Sequence, residues 1–158
     1  MSEFRPITKE GYEKLKAKLD QLIKVARPKA IQDLAEARAH GDLSENAEYE
    51  AAKHAQSLLE TKIKQLQSNI GMSHIVDISQ IKEDKIVFGA TVTIQHTETE
   101  DVFTYQIVGE DESDSDRNKI SVTSPIARAL IGKHVDDTVV VNAPGGAREF
   151  IVLEINYQ

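Results

Sequence analysis

Asp42 and Glu45 stand three residues apart in the stretch HGDLSENAEYEAA, residues 40–52, with Glu48 and Glu50 just behind them. Carboxylates at this spacing support two kinds of chemistry. Asp42 sits where a helix N-cap belongs and Glu45 where the third helical residue belongs. That is the spacing of a capping box written Asp-x-x-Glu, and negative charge there suits the helix dipole. The same two acids can also face one point in space and offer oxygen to a divalent cation. Mg²⁺ takes few protein carboxylates and keeps several waters, so a pair on an exposed turn is half a site. The remaining ligands would come from a partner whose active site already holds one metal. The metal so held could activate a water for attack on a phosphodiester. Both readings stand on spacing alone.

The elements that carry this pair read as two helices. From Thr8 to Ala37 the apolar residues Tyr12, Leu15, Leu19, Leu22, Ala26, Leu34 and Ala37 follow steps of three and four, with a gap near Pro28. Thr8 is placed to cap the first helix, and Pro28, which lacks an N–H, predicts a kink or restart. From Ser44 to Ile70 a second stripe reads Ala51, Ala55, Leu59, Ile63, Leu66 and Ile70, with Gly71 as the stop. Each helix has one apolar stripe and the connection is short. The expectation is therefore an antiparallel coiled-coil hairpin, its tip near residues 38–46. Alanines at 37, 51, 52 and 55 would let the helices approach closely near that tip.

After Val76 the period changes. KIVFGATVTIQH, VFTYQIVGE, KISVTS, TVVVN and REFIVLEINY are β-rich segments separated by turn residues. SPIARALIGK reads as one short helix, capped by Ser124, opened by Pro125 and ended by Gly132. The fold class is α+β, with residues 1–76 as hairpin and 77–158 as a mostly antiparallel sheet with one short helix. Residues 110–119, EDESDSDRNK, read as a polar loop, and NAPGGARE as a tight turn.

Bulk properties narrow the classes. The chain has 158 residues, no cysteine and a net charge of −7, so disulfide and thiolate chemistry are excluded and a free duplex-DNA binder is disfavoured. The charge is uneven. Residues 1–76 hold twelve Lys and Arg against eleven Asp and Glu; residues 77–158 hold seven against fifteen. Acidic loops that keep the second part soluble account for this as well as a difference in surroundings does. No apolar run approaches the ~20 residues of a membrane helix, and the first residues lack a signal peptide's apolar run, so the expectation is a cytoplasmic protein. No nucleophile–base pair or complete metal shell is visible, which leaves no independent hydrolase.

ARAHGDLSENAEYEAA, residues 37–52, resembles the tip signature of the bacterial GreA/GreB transcript cleavage factors. FGATVTI, YQIVGEDESD, ISVTSPIARALIGK and the closing PGG…F.VLEINY resemble their C-terminal domain. The resemblance implies an FKBP-like C-terminal domain that docks on RNA polymerase and a hairpin that enters its secondary channel. It implies that Asp42 and Glu45 act as catalytic and metal-handling acids, stabilising a second Mg²⁺ shared with the polymerase, with no cofactor bound by the free protein. The polymerase, not this chain, would then cut the backtracked transcript at its nascent RNA 3′ end. By the same resemblance Arg38, Asn46, Tyr49 and Lys53 meet RNA or polymerase near the tip, and Ser124 and Pro125 belong to the docking loop. Lys53 stands where the family pattern has arginine, and Asp136 where it has glycine before an aspartate. The free protein is expected to be a monomer without membrane association. A relative of the same shape that occupies the channel without stimulating cleavage, and a plain coiled-coil interaction protein, are the alternatives. Helix capping alone explains Ser124 and Pro125. Packing on the first helix explains Tyr49, a first-turn position explains Asn46, and solvated helix surface explains Arg38, Lys53, His40, His54 and the basic run from Lys14 to Lys29.

Overall fold

The computed structural model describes residues 5–39 and 46–157. Its chain divides into two compact units, one made of residues 13–72 and the other of residues 1–12 together with 73–158.

The first of these is helical. The helix α1 (Lys9–Gln21) begins in the other unit and passes into a π-helical turn at Leu22–Ala26, after which α2 (Arg27–Ala39) continues. In the π turn the Arg27 N–H reaches back five residues to the Leu22 carbonyl. Pro28 explains its place: with no N–H, and with a ring that crowds the carbonyl four residues back, proline needs the preceding turn opened. The third helix, α3 (Asn46–Gly71), lies against α2 and the π turn. Pairing is antiparallel. Arg27 grips Glu60 with two hydrogen bonds of 2.9 Å. Eleven residues further along α2 and eleven back along α3, the Arg38 guanidinium lies 5.7 Å from the Tyr49 ring centre.

The residues the sequence names on the first helix face inward, and Ala30, in the gap near Pro28, joins them. Leu15 and Leu22 are buried, and Leu19, Ala26, Leu34 and Ala37 are half-buried. The second stripe needs correction. Ala51 and Ala55 are exposed; the seam runs Tyr49, Ala52, Gln56, Leu59, Ile63, Leu66, Ile70. Steps of four residues advance about 400°, so a run of fours drifts off one face by about 40° per step, whereas alternating threes and fours hold it. Leu22, Ile63 and Leu66 are buried and give the hairpin its tightest layers, while the layers toward the tip are built from Ala30, Ala37 and Ala52.

The second unit contains an element that periodicity does not reveal. Residues Arg5–Thr8 form β1, which pairs in parallel with β2 (Ser73–Val76), Arg5 opposite Ser73 and Thr8 opposite Val76. Thr8 also caps α1 as expected, its Oγ1 accepting from the Gly11 N–H at 3.0 Å. The main sheet has five strands: β3 (Thr91–His96), β4 (Val102–Val108), β5 (Lys119–Ser121), β6 (Thr138–Ala143) and β7 (Gly146–Asn156), ordered β5-β4-β3-β7-β6. Only the β4–β5 pair is parallel. Residues 85–90, read from sequence as part of a long strand, run in irregularly through Gly89 at φ 91° before β3 starts. The short helix α4 (Pro125–Leu130) covers one sheet face. Its Ala127 and Leu130 are buried among Ile86, Val92, Ile94, Ile107, Val139, Phe150 and Val152.

The acidic loop is not a solvated coil. Its residues Glu110–Glu112 form a 3-10 turn that clasps β1. Asp111 takes both ends of the Arg5 guanidinium at 2.9 and 2.8 Å. Glu112 Oε2 accepts from the Thr8 and Gly109 backbone N–H groups at 2.8 and 3.0 Å, and its Oε1 accepts from the Thr8 hydroxyl. The Asp111 hydrogen bond, helped by the charges of Asp111 and Glu110, raises the Arg5 pKa above its ordinary value. Glycine is required at Gly109, where a Cβ would stand 2.2 Å from the Pro6 carbonyl oxygen; a Cβ on Gly11 would lie 2.1 Å from Glu112 Oε1 and displace that carboxylate.

Candidate functional site

Two regions bear the residues singled out by type and spacing. The first is the tip of the hairpin. Asp42, Glu45 and His40 lie outside the described residues, as does the side chain of Asn46, whose backbone opens α3. They fall in or beside the six residues that connect the end of α2 at Ala39 to the start of α3.

The described flanks of that connection are Arg38, Tyr49 and Lys53. Tyr49 is half-buried and supplies the seam position of α3 nearest its start. Its ring also carries the Arg38 guanidinium at 5.7 Å, within cation–π range. The Nη2 of Arg38 is 3.5 Å from the Tyr49 hydroxyl, too long for a strong hydrogen bond, so the stacking contact defines the pair. Packing and chemistry therefore share Tyr49. Its inner part closes the helix interface, and its face orients a cation that stays exposed. Lys53, one turn further along α3, is exposed, and so is His54. Arg38 and Lys53 keep exposed positive charge on α2 and α3.

The basic run on the first helix is partly neutralised. Lys24 pairs with Asp20 at 3.0 Å, Lys29 with Asp33 at 3.0 Å, and Arg27 is held by Glu60. The first two are exposed helical pairs worth little to stability. Among the described residues no three carboxylates or imidazoles are grouped as a metal shell requires.

The second region is on the sheet unit. Ser124 accepts from the Ala127 N–H at 3.3 Å and Pro125 is the first residue of α4, so both do the capping the sequence predicts. Beside them Ile126 enters the wall of an open groove of about 640 Å³. Phe103 and Tyr105 of β4 line it, stacked at 6.0 Å and nearly parallel. Phe150 of β7 meets Phe103 edge-on at 6.3 Å and His96 edge-on at 5.2 Å. Phe103 remains 38% exposed, which is unusual for a large aromatic beside a formed core. Arg148, Glu149, Glu98 and Asp101 also line the groove. An aromatic floor with polar groups around it suits a protein partner's apolar side chains. Sequence reasoning named Ser124 and Pro125 and missed the aromatic wall. The signal was the alternation in VFTYQIV, which puts Phe103, Tyr105 and Ile107 on one face.

Comparison with known proteins covers almost the whole chain. A family model described as Transcription elongation factor, N-terminal, matches residues 5–75. One described as Transcription elongation factor, GreA/GreB, C-term, matches residues 81–157. A protein of Trichlorobacter lovleyi named Transcription elongation factor GreA is 53% identical over 158 residues, 100% of both chains. One of Neisseria meningitidis serogroup A with the same name is 56% identical over 153 residues, 96% of this chain and 97% of its own. Among solved structures, GreA factor homolog 1 of Thermus thermophilus matches with 28% identity and a TM-score of 0.45, covering 98% of this chain and 99% of that one. No helix of the described residues is long and apolar enough to cross a membrane.

Proposed function

The chain belongs to the GreA/GreB family of transcription elongation factors, and on that premise we propose that it binds RNA polymerase and stimulates the polymerase's own cleavage of backtracked RNA. The observation that carries this reading is the Asp42–Glu45 pair in the connection between α2 and α3, inside a family match that spans the hairpin. A helical hairpin is a stiff support. Residues at its turn can be delivered into a channel too narrow for a folded sheet.

Asp42 and Glu45 supply carboxylate oxygens, the donors Mg²⁺ prefers, and they supply too few of them to hold the ion alone. Sharing an ion with carboxylates of the polymerase would complete the shell, and an ion so held would lower the pKa of a water and offset charge on the scissile phosphate. Arg38, held over Tyr49, and Lys53 meet the phosphates of the displaced RNA 3′ end, as does Asn46. The guanidinium is already oriented by the ring, so less freedom is lost when a phosphate binds. Docking falls to the other unit, where Ser124 and Pro125 start α4 at the edge of the aromatic groove. The chain is not itself an enzyme on this reading.

Arrested elongation complexes with the wild type and Asp42→Ala side by side test it. The wild type shortens the backtracked RNA. The variant is expected to lose about 100-fold or more of the stimulated rate while still binding polymerase. Full stimulation by the variant refutes the metal role; binding without any wild-type cleavage makes the protein a channel occupant instead.

A further inference from the structure

We infer that the π turn at Leu22–Ala26 sets the rotational phase of the hairpin's distal half, and so decides which residues reach the tip facing α3. The functional part of this inference rests on the cleavage reading above.

The case begins with a count along the seam. Leu15, Leu19, Leu22 and Ala26 alternate steps of four and three. Continued without interruption, that repeat would next turn inward Lys29, Asp33 and Glu36. All three are exposed, and the half-buried positions are Ala30, Leu34 and Ala37, each one residue later. The partner helix shows no such skip, since Tyr49, Ala52, Gln56, Leu59, Ile63, Leu66 and Ile70 keep step throughout. One helix therefore carries one extra residue.

A regular α-helix absorbs that residue poorly. Leu22, Ala26, Ala30 and Leu34 are three successive four-residue steps, which drift by about 120° at 3.6 residues per turn. A π turn inserts one residue without advancing the helix face, which takes up about 100° of the drift. The bond from the Arg27 N–H to the Leu22 carbonyl is that insertion, and it lies where the skip is counted. Val25, inside the turn, is 59% exposed and leaves the seam intact around it. Two contacts depend on the resulting phase: Arg27 to Glu60 just past the turn, and Arg38 to Tyr49 beside the tip. Without the extra residue α2 would present Arg27 and Arg38 about 100° away from α3. The proximal half would not follow, because Leu22, Ile63 and Leu66 are its buried layers.

Three forms of the full chain test the inference: wild type, deletion of Val25, and deletion of Val25 with an alanine inserted between Pro28 and Lys29. The third form restores the phase of residues 29–39. Two readouts are taken. The stimulated cleavage rate on arrested complexes should fall at least tenfold in the deletion and return to within about threefold of wild type in the re-insertion. Thermal melts of the Arg27→Ala and Glu60→Ala single and double variants should show coupling in the wild-type background and none in the deletion. Wild-type cleavage or intact Arg27–Glu60 coupling in the deletion overturns the inference. So does a re-insertion that stays inactive, because the loss would then be one of folding. If wild type itself stimulates no cleavage, the cleavage reading fails and the phase claim is decided by the melts.

Discussion

Replacing Gly11 by alanine should destabilise the natural protein and stabilise a Glu112→Ala variant of it. The reversal follows from one distance. A Cβ on Gly11 would lie 2.1 Å from Glu112 Oε1 and 2.5 Å from the carboxyl carbon, so the carboxylate must leave. It takes with it the acceptor for the Thr8 N–H, the Gly109 N–H and the Thr8 hydroxyl. Bonds to a charged acceptor contribute roughly 1.5–3 kcal/mol each when sheltered. This carboxylate is only half-buried, and water replaces part of the loss, so about 2–3 kcal/mol for the set is reasonable. Alanine in place of glycine returns roughly 0.8–1 kcal/mol of helix propensity. The net cost in the natural background is then about 1–2 kcal/mol. With Glu112 already truncated there is nothing to evict, and the propensity gain of up to about 1 kcal/mol remains. For a unit near a hundred residues, each kcal/mol moves the midpoint by roughly 4–8 °C. Urea and thermal unfolding of the four members of the cycle measure the coupling, and amide exchange at Thr8 and Gly109 shows whether the clasp itself opens. Equal effects of Gly11→Ala in both backgrounds, or an unchanged Thr8 amide in the single variant, would refute the reasoning.

Two further outcomes are expected of the sheet unit. Tyr157 donates its hydroxyl to the Lys85 carbonyl and accepts from the Val87 N–H at 2.9 Å, and burial raises its pKa above the usual value near 10. A raised folded-state pKa means that its contribution is complete below the unfolded value and lost as pH rises through the folded one. Tyr157→Phe should cost about 1–2 kcal/mol near neutrality, and absorbance titration near 295 nm should lose a tyrosine that ionises above the ordinary range. Asp136 occupies the left-handed region at φ 75°, so Asp136→Gly should stabilise the unit by about 0.5 kcal/mol, read as a higher thermal midpoint.

How far the sequence could be read depended on the length over which each pattern repeats. The first helix shows its stripe over about thirty residues, and the residues named from it are buried or half-buried, with Ala30 the one seam position hidden by the gap near Pro28. The second helix misleads at Ala51 and Ala55 because alanine scores as apolar wherever it lies, while Gln56, which is in the seam, does not. The β1 strand has four residues, one of them Pro6, and its partner lies 68 positions away; no local period can show that. Glu112 and Asp111 belong to a run that reads as solvating, since a charge count carries no information about which N–H groups lie within reach. The tip acids are the converse case. Their spacing and surroundings make them prominent in the sequence, while their positions lie outside the described residues.

The charge asymmetry between the two parts of the chain takes on a different meaning once those contacts are known. At least eight of the fifteen acids after residue 76 have a donor within their own unit, Asp101 among them through the Thr99 hydroxyl. Asp111 and Glu110 face Arg5, Glu112 gathers three donors, and Asp77, Asp114 and Asp137 accept backbone N–H groups at turns. Glu154 accepts from Asn156. Ser79 donates to Asp77 through both its hydroxyl and its backbone N–H, and so lowers the Asp77 pKa. An acid with a donor is oriented by it, so turning toward an approaching cation or a metal costs that bond. A net of −8 in this part therefore overstates its readiness to bind either. Asp42 and Glu45 stand in sequence between the two helices, and the capping role and the metal role proposed for them call on the same two side chains. Those roles are separable in one respect: a helix cap acts in the free protein, whereas a shared metal acts only once the partner supplies the rest of the shell.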